Sequence, residues 1–534
     1  MRFPLASVMG VASGFFATVL LAHLLPYDPT DELPATSIAP EPHASIRALS
    51  SARAASERRV FFIGASMTAG YPYKDGCASY ARQMKAGLAA VYGHENVFVH
   101  DYAKPALDSR ELVRLVDRVL ADYDPSCICV TLGSNEFANR IFSGKALLPA
   151  NIVDRVGEHA SRARLALRTL PTSRSADEEA RQKELRDRLD FAENGKPLFG
   201  ALPVEPADAE LLTQRMRRMM QRMSEACAAK GVPLVFVVAV YGLGGFWPWG
   251  ISGDALPEID ELVREAWRPL DEARARTLRP RVEALLADHP GRADLHFLYG
   301  MVLRSCGDEA VAREHFERAR DLDTVPMHQT GMVRAAILAE AETLERPCLV
   351  LDEAFYEQGA LLPDTRDFLD YGHLSDAGAR RAAAWLSVRL AALGHVPALP
   401  TGWEQRFANA AAAYVERTTT ALELATAVPG IAASNANFSM MFGNFRDAVP
   451  WLAKSVPGYL RHPELAAKTD QKWHLVLCLY QLSGRYEETL ELPPKERVAL
   501  LGDLDRQINE AVLEDRLDAW ILDQLGRKAK TQRR

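Results

Sequence analysis

The chain has 534 residues, 48% hydrophobic and 25% charged, with a formal net charge of −7. That length holds several domains with real cores, and the composition excludes disordered and fibrous classes. The acidic balance argues against a chain-wide nucleic-acid partner, and seven cysteines without repeated spacing are neither a disulfide framework nor a zinc module.

Residues 3–26 contain no Asp, Glu, Lys or Arg. As a helix they rise about 36 Å, enough for a hydrocarbon core of roughly 30 Å. No small-x-small cleavage site closes the run, and Arg2 precedes it while Asp28, Asp31 and Glu32 follow it. The expectation is an N-terminal membrane anchor over 1–26 with the bulk extracytoplasmic, periplasmic if the cell is Gram-negative. The alternative is a signal that is cleaved to leave a secreted protein. Residues 27–57, rich in Pro, Ala and Ser, read as a linker.

From residue 58 apolar runs alternate with helical patterns, the signature of a parallel α/β sheet. Strands are expected at 59–65, 96–101, 126–132, 233–241 and 347–352, with helices at about 77–92, 108–122, 151–170, 207–230 and 375–393. Cys127 and Cys129 fall on one face of the third strand and read as packing residues. The charge-dense stretch 175–192 reads as a solvated helix or a lid.

An insertion at about 255–340 shows no strand signal. Inside it Gly300, Leu303, Gly307, Ala312, Phe316 and Ala319 recur at spacings of 3, 4, 5, 4 and 3. Small and large residues so placed suit an antiparallel helical hairpin and resemble a tetratricopeptide repeat, which implies a docking surface for a protein partner. Weaker matches follow at Ala436–Ser455 and around Gly484, so 396–534 is expected to be a separate helical domain. The basic tail 527–534 reads as a solvated end.

Three segments follow strand ends, where open α/β sheets place their sites. Gly64-Ala-Ser66-Met-Thr-Ala-Gly70 presents a serine on a tight turn. Thr131-Leu-Gly133-Ser-Asn135-Glu136 supplies a side-chain amide able to stabilise an oxyanion. Asp370-Tyr-Gly-His373 can join a carboxylate to imidazole Nδ1 and leave Nε2 as a base. Each alone has a bland account: an N-cap serine, an Asx-turn, a surface histidine.

Together, after strands one, three and five, they resemble the SGNH (GDSL-type) hydrolase family over residues 58–395. The resemblance implies a flavodoxin-like three-layer α/β/α sandwich with a five-stranded parallel sheet. It implies Ser66 as nucleophile, Asp370 and His373 as acid and base, and Asn135 in the oxyanion hole with backbone N–H of Ser66 and Ala106. The chain departs from the family at Ala65, Glu136 and Ala106, where the family has Asp, Asp and Gly. No cofactor and no metal is expected. The expected activity is that of an esterase or acyltransferase on ester bonds, with acylated envelope glycans or lipids suggested by the placement. A non-catalytic scaffold that recruits partners through its repeats is the alternative.

The Gly242–Gly250 run follows a strand, but Trp247 and Pro248 break any dinucleotide pattern. Trp247 and Trp249 are candidates to flank the substrate, with packing under the insertion as the other account. His328 is a surface residue or faces the site.

Overall fold

The structure is a computed structural model that describes residues 53–54, 56–73, 78–93, 96–105, 107–137, 204, 206–245, 247–250, 258–259, 262, 270–326, 329–356, 367–420, 424, 427 and 431. The expected anchor, the helix 151–170, the stretch 175–192, Ala106, His328, both C-terminal repeat matches and the basic tail lie outside them. Among the described residues no helix is long and apolar enough to cross a membrane.

Five strands form one parallel sheet: β1 (Arg58–Gly64), β2 (Val97–Ala103), β3 (Cys127–Leu132), β4 (Leu234–Val238) and β5 (Cys348–Val350). Their order, β2-β1-β3-β4-β5, is consistent with a flavodoxin-like doubly wound arrangement. Strands β1, β3 and β4 are buried almost throughout, as a sheet covered on both faces requires. Pairing stops at Gly64 in β1 and at Leu132 in β3, where the sequence switches to Gly64-Ala-Ser66 and Gly133-Ser-Asn135 and the loops of interest begin.

The helices between the strands are α1 (Ser66–Ala69), α2 (Tyr80–Tyr92), α3 (Ser109–Asp122) and α4 (Pro206–Ala229). The insertion contributes α5 (Glu272–Asp288), α6 (Ala293–Ser305), α7 (Glu309–Leu322) and α8 (Gly331–Thr343). After β5 come α9 (Glu353–Tyr356), α10 (Asp376–Ala392) and α11 (Trp403–Thr418). Val60, Phe62, Cys127, Cys129, Val235 and Val237 face one layer, packed with Met84, Leu88, Ala382 and Leu386 of α2 and α10. Helix α4 packs against both α3 and α8, and α3 and α8 contact the sheet.

Most of the described residues of the insertion are helical. Helices α6 and α7 are joined by a three-residue turn in which Gly307 takes φ +86°. A Cβ at Gly300 would stand 2.7 Å from the Phe316 ring, so the glycine is what lets that ring lie on α6. Leu303, Ala312, Phe316 and Ala319 are all buried in the same cluster.

One boundary shifts. Helix α11 was expected in a domain of its own, beyond residue 395. Instead Trp403, Phe407 and Ala411 belong to the core cluster of the α/β body. Gly87 of α2 makes the approach close, since a Cβ there would lie 2.4 Å from the Phe407 ring. The α/β body therefore extends at least to Thr418.

Candidate active site

The order of strands reverses between β1 and β3, and the loops leaving both carry the candidate residues. Loops that diverge at such a switch point leave a crevice beyond the strand ends. Gly64 ends β1, and a Cβ there would stand 2.1 Å from Thr68 Oγ1, so only glycine lets α1 fold back over the strand. Gly70 closes α1 at φ +73°, and Tyr71 N–H donates to the Ser66 carbonyl at 3.0 Å. Below this turn the buried Tyr80 hydroxyl donates to Thr68 Oγ1 and shares a hydrogen bond with Thr131 Oγ1, each at 2.8 Å. That network ties the Ser66 turn to the end of β3. Ser66 is half-buried at the start of α1.

The loop after β3 turns at Gly133, with φ +93° and Gln329 Nε2 so close that a Cβ would meet it at 2.1 Å. Asn135 Nδ2 donates to the Leu107 carbonyl at 3.1 Å. An amide carries two hydrogens, so a second donor remains on the same nitrogen. Glu136 is buried and accepts from Ser109 N–H at 3.2 Å and from Ser109 Oγ at 2.9 Å. Asn135 and Glu136 thus grip the segment 107–109, next in sequence to Ala106. Glu136 is pushed up to about 7, first by burial and then by the nearby Asp108 carboxylate, against the pull of Arg215 and Ser109. The extra methylene relative to Asp lets this carboxylate reach the first turn of α3, where the helix dipole and unpaired N–H groups favour an anion.

The third segment is a small closed turn. Leu369 N–H donates to the His373 carbonyl at 2.8 Å, and Phe368 and Leu374 form an isolated antiparallel bridge. Asp370 inside it is buried, and its Oδ1 accepts from the N–H groups of Gly372 at 2.8 Å and His373 at 2.7 Å. Its Oδ2 lies 2.6 Å from His373 Nδ1. One oxygen is therefore held by backbone and the other by the imidazole, which fixes the proton on Nδ1 and leaves Nε2 as the acceptor. Neither Nε2 nor the Ser66 hydroxyl has a hydrogen-bond partner among the described residues.

Four contacts bring the segments together. The Tyr71 ring lies 5.0 Å from the His373 ring, which sets the Ser66 turn against the imidazole. Asp376 N–H donates to the Tyr73 hydroxyl at 3.1 Å. The β4 loop bridges the rest: Gly242 N–H donates to the Tyr371 carbonyl at 3.0 Å, and Tyr241 hydroxyl donates to the Gly133 carbonyl at 3.5 Å. Tyr71 and Tyr371 were not singled out in the sequence. The only signal was position, one just past Gly70 and the other inside Asp-x-x-His.

The two tryptophans are packing residues. Trp247 lies edge-on to Phe297 at 5.0 Å, inside the apolar cluster of the inserted helices. Trp249 lies edge-on to Tyr371 at 6.1 Å, and its backbone N–H and that of Gly250 donate to the buried Asp323 carboxylate at 3.0 and 2.7 Å. Both indoles are nearly fully covered, so the expectation that they stack on a substrate gives way to packing under the insertion.

No family model matches the chain, and no curated protein matches it in sequence. Among solved structures the chain is similar to that of TesA, at 10% identity and TM-score 0.26, over 62% of this chain and 98% of that one. At that score the superposition adds nothing to the geometry above.

Proposed function

We propose that the chain is an SGNH-type serine esterase or acyltransferase acting on ester bonds. The observation that carries this is the Asp370–His373 pair, with its carboxylate held by two backbone N–H groups and its Nε2 left open beside the Ser66 turn. In this reading Ser66 Oγ attacks the ester carbonyl as His373 Nε2 takes its proton. Asp370 holds the tautomer and stabilises the imidazolium that forms. The tetrahedral oxyanion sits against the backbone N–H of Ser66 and Ala106 and the Asn135 amide. His373 then protonates the leaving alcohol. Water, or a second alcohol in a transfer reaction, repeats the sequence on the acyl-serine.

The remaining expectations join the same proposal. Residues 1–26 tether the enzyme with its bulk outside the cytoplasmic membrane, the substrates are acylated envelope glycans or lipids, and the α6–α7 hairpin is a tetratricopeptide-like unit that receives a protein partner.

The test is labelling of the full chain by a fluorophosphonate, which traps an activated serine. Wild type is expected to label, and Ser66→Ala and His373→Ala are expected not to. A wild type that keeps its circular dichroism and unfolding transition yet stays unlabelled overturns the proposal.

A further inference from the structure

Away from the sheet edge, helices α2 and α11 meet closely at Gly87 and Phe407. Beside that contact the two helices leave a cavity of about 320 Å³. Its floor is made of alanines from both helices, Ala86 and Ala89 from one and Ala410 from the other, with Tyr414 alongside. Small side chains on facing helices usually serve to bring backbones together and exclude space. Here the space remains.

The cavity carries three cationic side chains, Arg82, Lys85 and Arg417. The carboxylate that acts on Lys85, Asp101, already accepts from Arg82 Nε at 2.8 Å and from Ser79 Oγ at 3.3 Å. Lys85 forms no ion pair or hydrogen bond among the described residues, although its side chain is partly buried. Burial pulls its pKa down; the Asp101 carboxylate opposes this, and Arg82 adds a smaller push in the same direction as burial. An ammonium kept partly out of water without a hydrogen-bonded counter-ion is unfavourable, and a bound anion would relieve it.

Size decides the kind of ligand. The volume sits at the lower end of small-molecule sites, roughly 300–1,000 Å³. We propose that this cavity binds a single-chain anionic amphiphile, an alkyl phosphate or fatty carboxylate, with its head at Lys85 and Arg417 and its chain along the alanine floor. The assignment is independent of the serine chemistry above.

The experiment is calorimetric titration of the full chain, in a non-ionic detergent, with octyl phosphate, inorganic phosphate and octanol. Octyl phosphate is expected to bind saturably, and the other two at least tenfold more weakly. Lys85→Met should weaken octyl phosphate roughly tenfold or more, the usual scale for a charge-assisted hydrogen bond. Since that change removes a partly desolvated charge, the thermal midpoint should hold or rise. Ala89→Leu fills the floor and should weaken octyl phosphate while leaving any binding of inorganic phosphate unchanged. Comparing nanodiscs with and without lysophosphatidylglycerol, a single-chain anionic lipid, identifies the source. Competition supports a bilayer lipid as the occupant, and its absence supports a free amphiphile. Failure of wild type to bind octyl phosphate overturns the proposal. So does binding that both variants leave intact, or inorganic phosphate binding as tightly as octyl phosphate.

Discussion

Tyr71 and His373 are held ring against ring, 5.0 Å between centroids and tilted by 55°, although 302 positions separate them in the chain (373 minus 71). The same Tyr71 donates its N–H to the Ser66 carbonyl, so one residue touches both the serine turn and the imidazole. Tyr71 as a whole is 41% exposed. Replacing Tyr71 with Ala should therefore loosen the imidazole without removing any reacting group. Ester turnover is expected to fall about tenfold, with kcat more affected than KM. Tyr71→Phe keeps the ring and should retain wild-type rates. Equal losses in both variants would place the effect in the hydroxyl and overturn this account.

Asp370→Asn tests the division of labour between its two oxygens. The two backbone N–H groups at Oδ1 require an acceptor, so the Asn carbonyl will take that place. Its NH₂ then faces His373 Nδ1 and forces that nitrogen to accept. The proton moves to Nε2, and the base is lost. A loss of roughly 10³–10⁴ in kcat is expected, with the fold intact because the backbone donors stay satisfied. Activity near wild type would mean that this pair is not the base.

Asn135 is predicted to act in the transition state and not in substrate binding. Its Nδ2 spends one hydrogen on the Leu107 carbonyl, which aims the other. Asn135→Ala should cost about 10²–10³ in kcat and leave KM within a few-fold. Steady-state kinetics on a simple aryl ester separates the two. A change confined to KM would show that the amide contacts ground-state substrate instead.

Glu136 makes stability depend on pH near neutrality. Its folded-state pKa of about 7 lies above the ordinary carboxylate value, so the folded protein holds this proton more tightly than the unfolded chain. Its contribution is therefore fully present below about 4.5, is lost as pH rises towards 7, and is constant above. Asp323, raised to about 6 by burial, acts in the same direction. His100, lowered to about 3 by burial and by Lys85 and Arg59, acts in the opposite one, because its unfolded form takes up a proton first. The difference between wild type and Glu136→Gln isolates the glutamate. Urea midpoints measured from pH 4.5 to 7.5 should show wild type losing ground relative to the variant as pH rises. Parallel curves would remove Glu136 from the account.

The sheet and the Asp370–His373 contact of the candidate site were legible for a common physical reason. Strands buried on both faces read as continuous apolar runs, such as 126–132, and the switch from Leu132 to Gly133-Ser-Asn135 marks where pairing ends. Asp370 and His373 lie three apart on one turn, so their contact is local and the sequence contains it. What was not legible is which distant surfaces meet. Periodicity shows that α11 has an apolar face, but not that Gly87, an ordinary glycine inside another helix, leaves room for it. Trp247 likewise reads as an aromatic near the site until Phe297 is seen against it. Tyr71 lies just past the serine turn, and the partner of its ring, His373, is far away in the chain.

The docking of α11 gives the last prediction. Phe407 is almost completely buried, with its ring over Gly87 and an edge-on contact to Trp403 at 5.3 Å. If α11 belongs to the α/β body, Phe407→Ala should destabilise the domain that holds the candidate site by about 3–5 kcal/mol, the usual range for emptying a buried phenylalanine site. Gly87→Ala should do comparable harm from the other side of the same contact, because its Cβ has no space. Unfolding followed by fluorophosphonate labelling as urea rises reports on the site itself. Both variants are expected to lose labelling at lower urea than wild type. A labelling curve that neither substitution moves would mean that α11 is part of an independent unit, as the boundary at 395 implied.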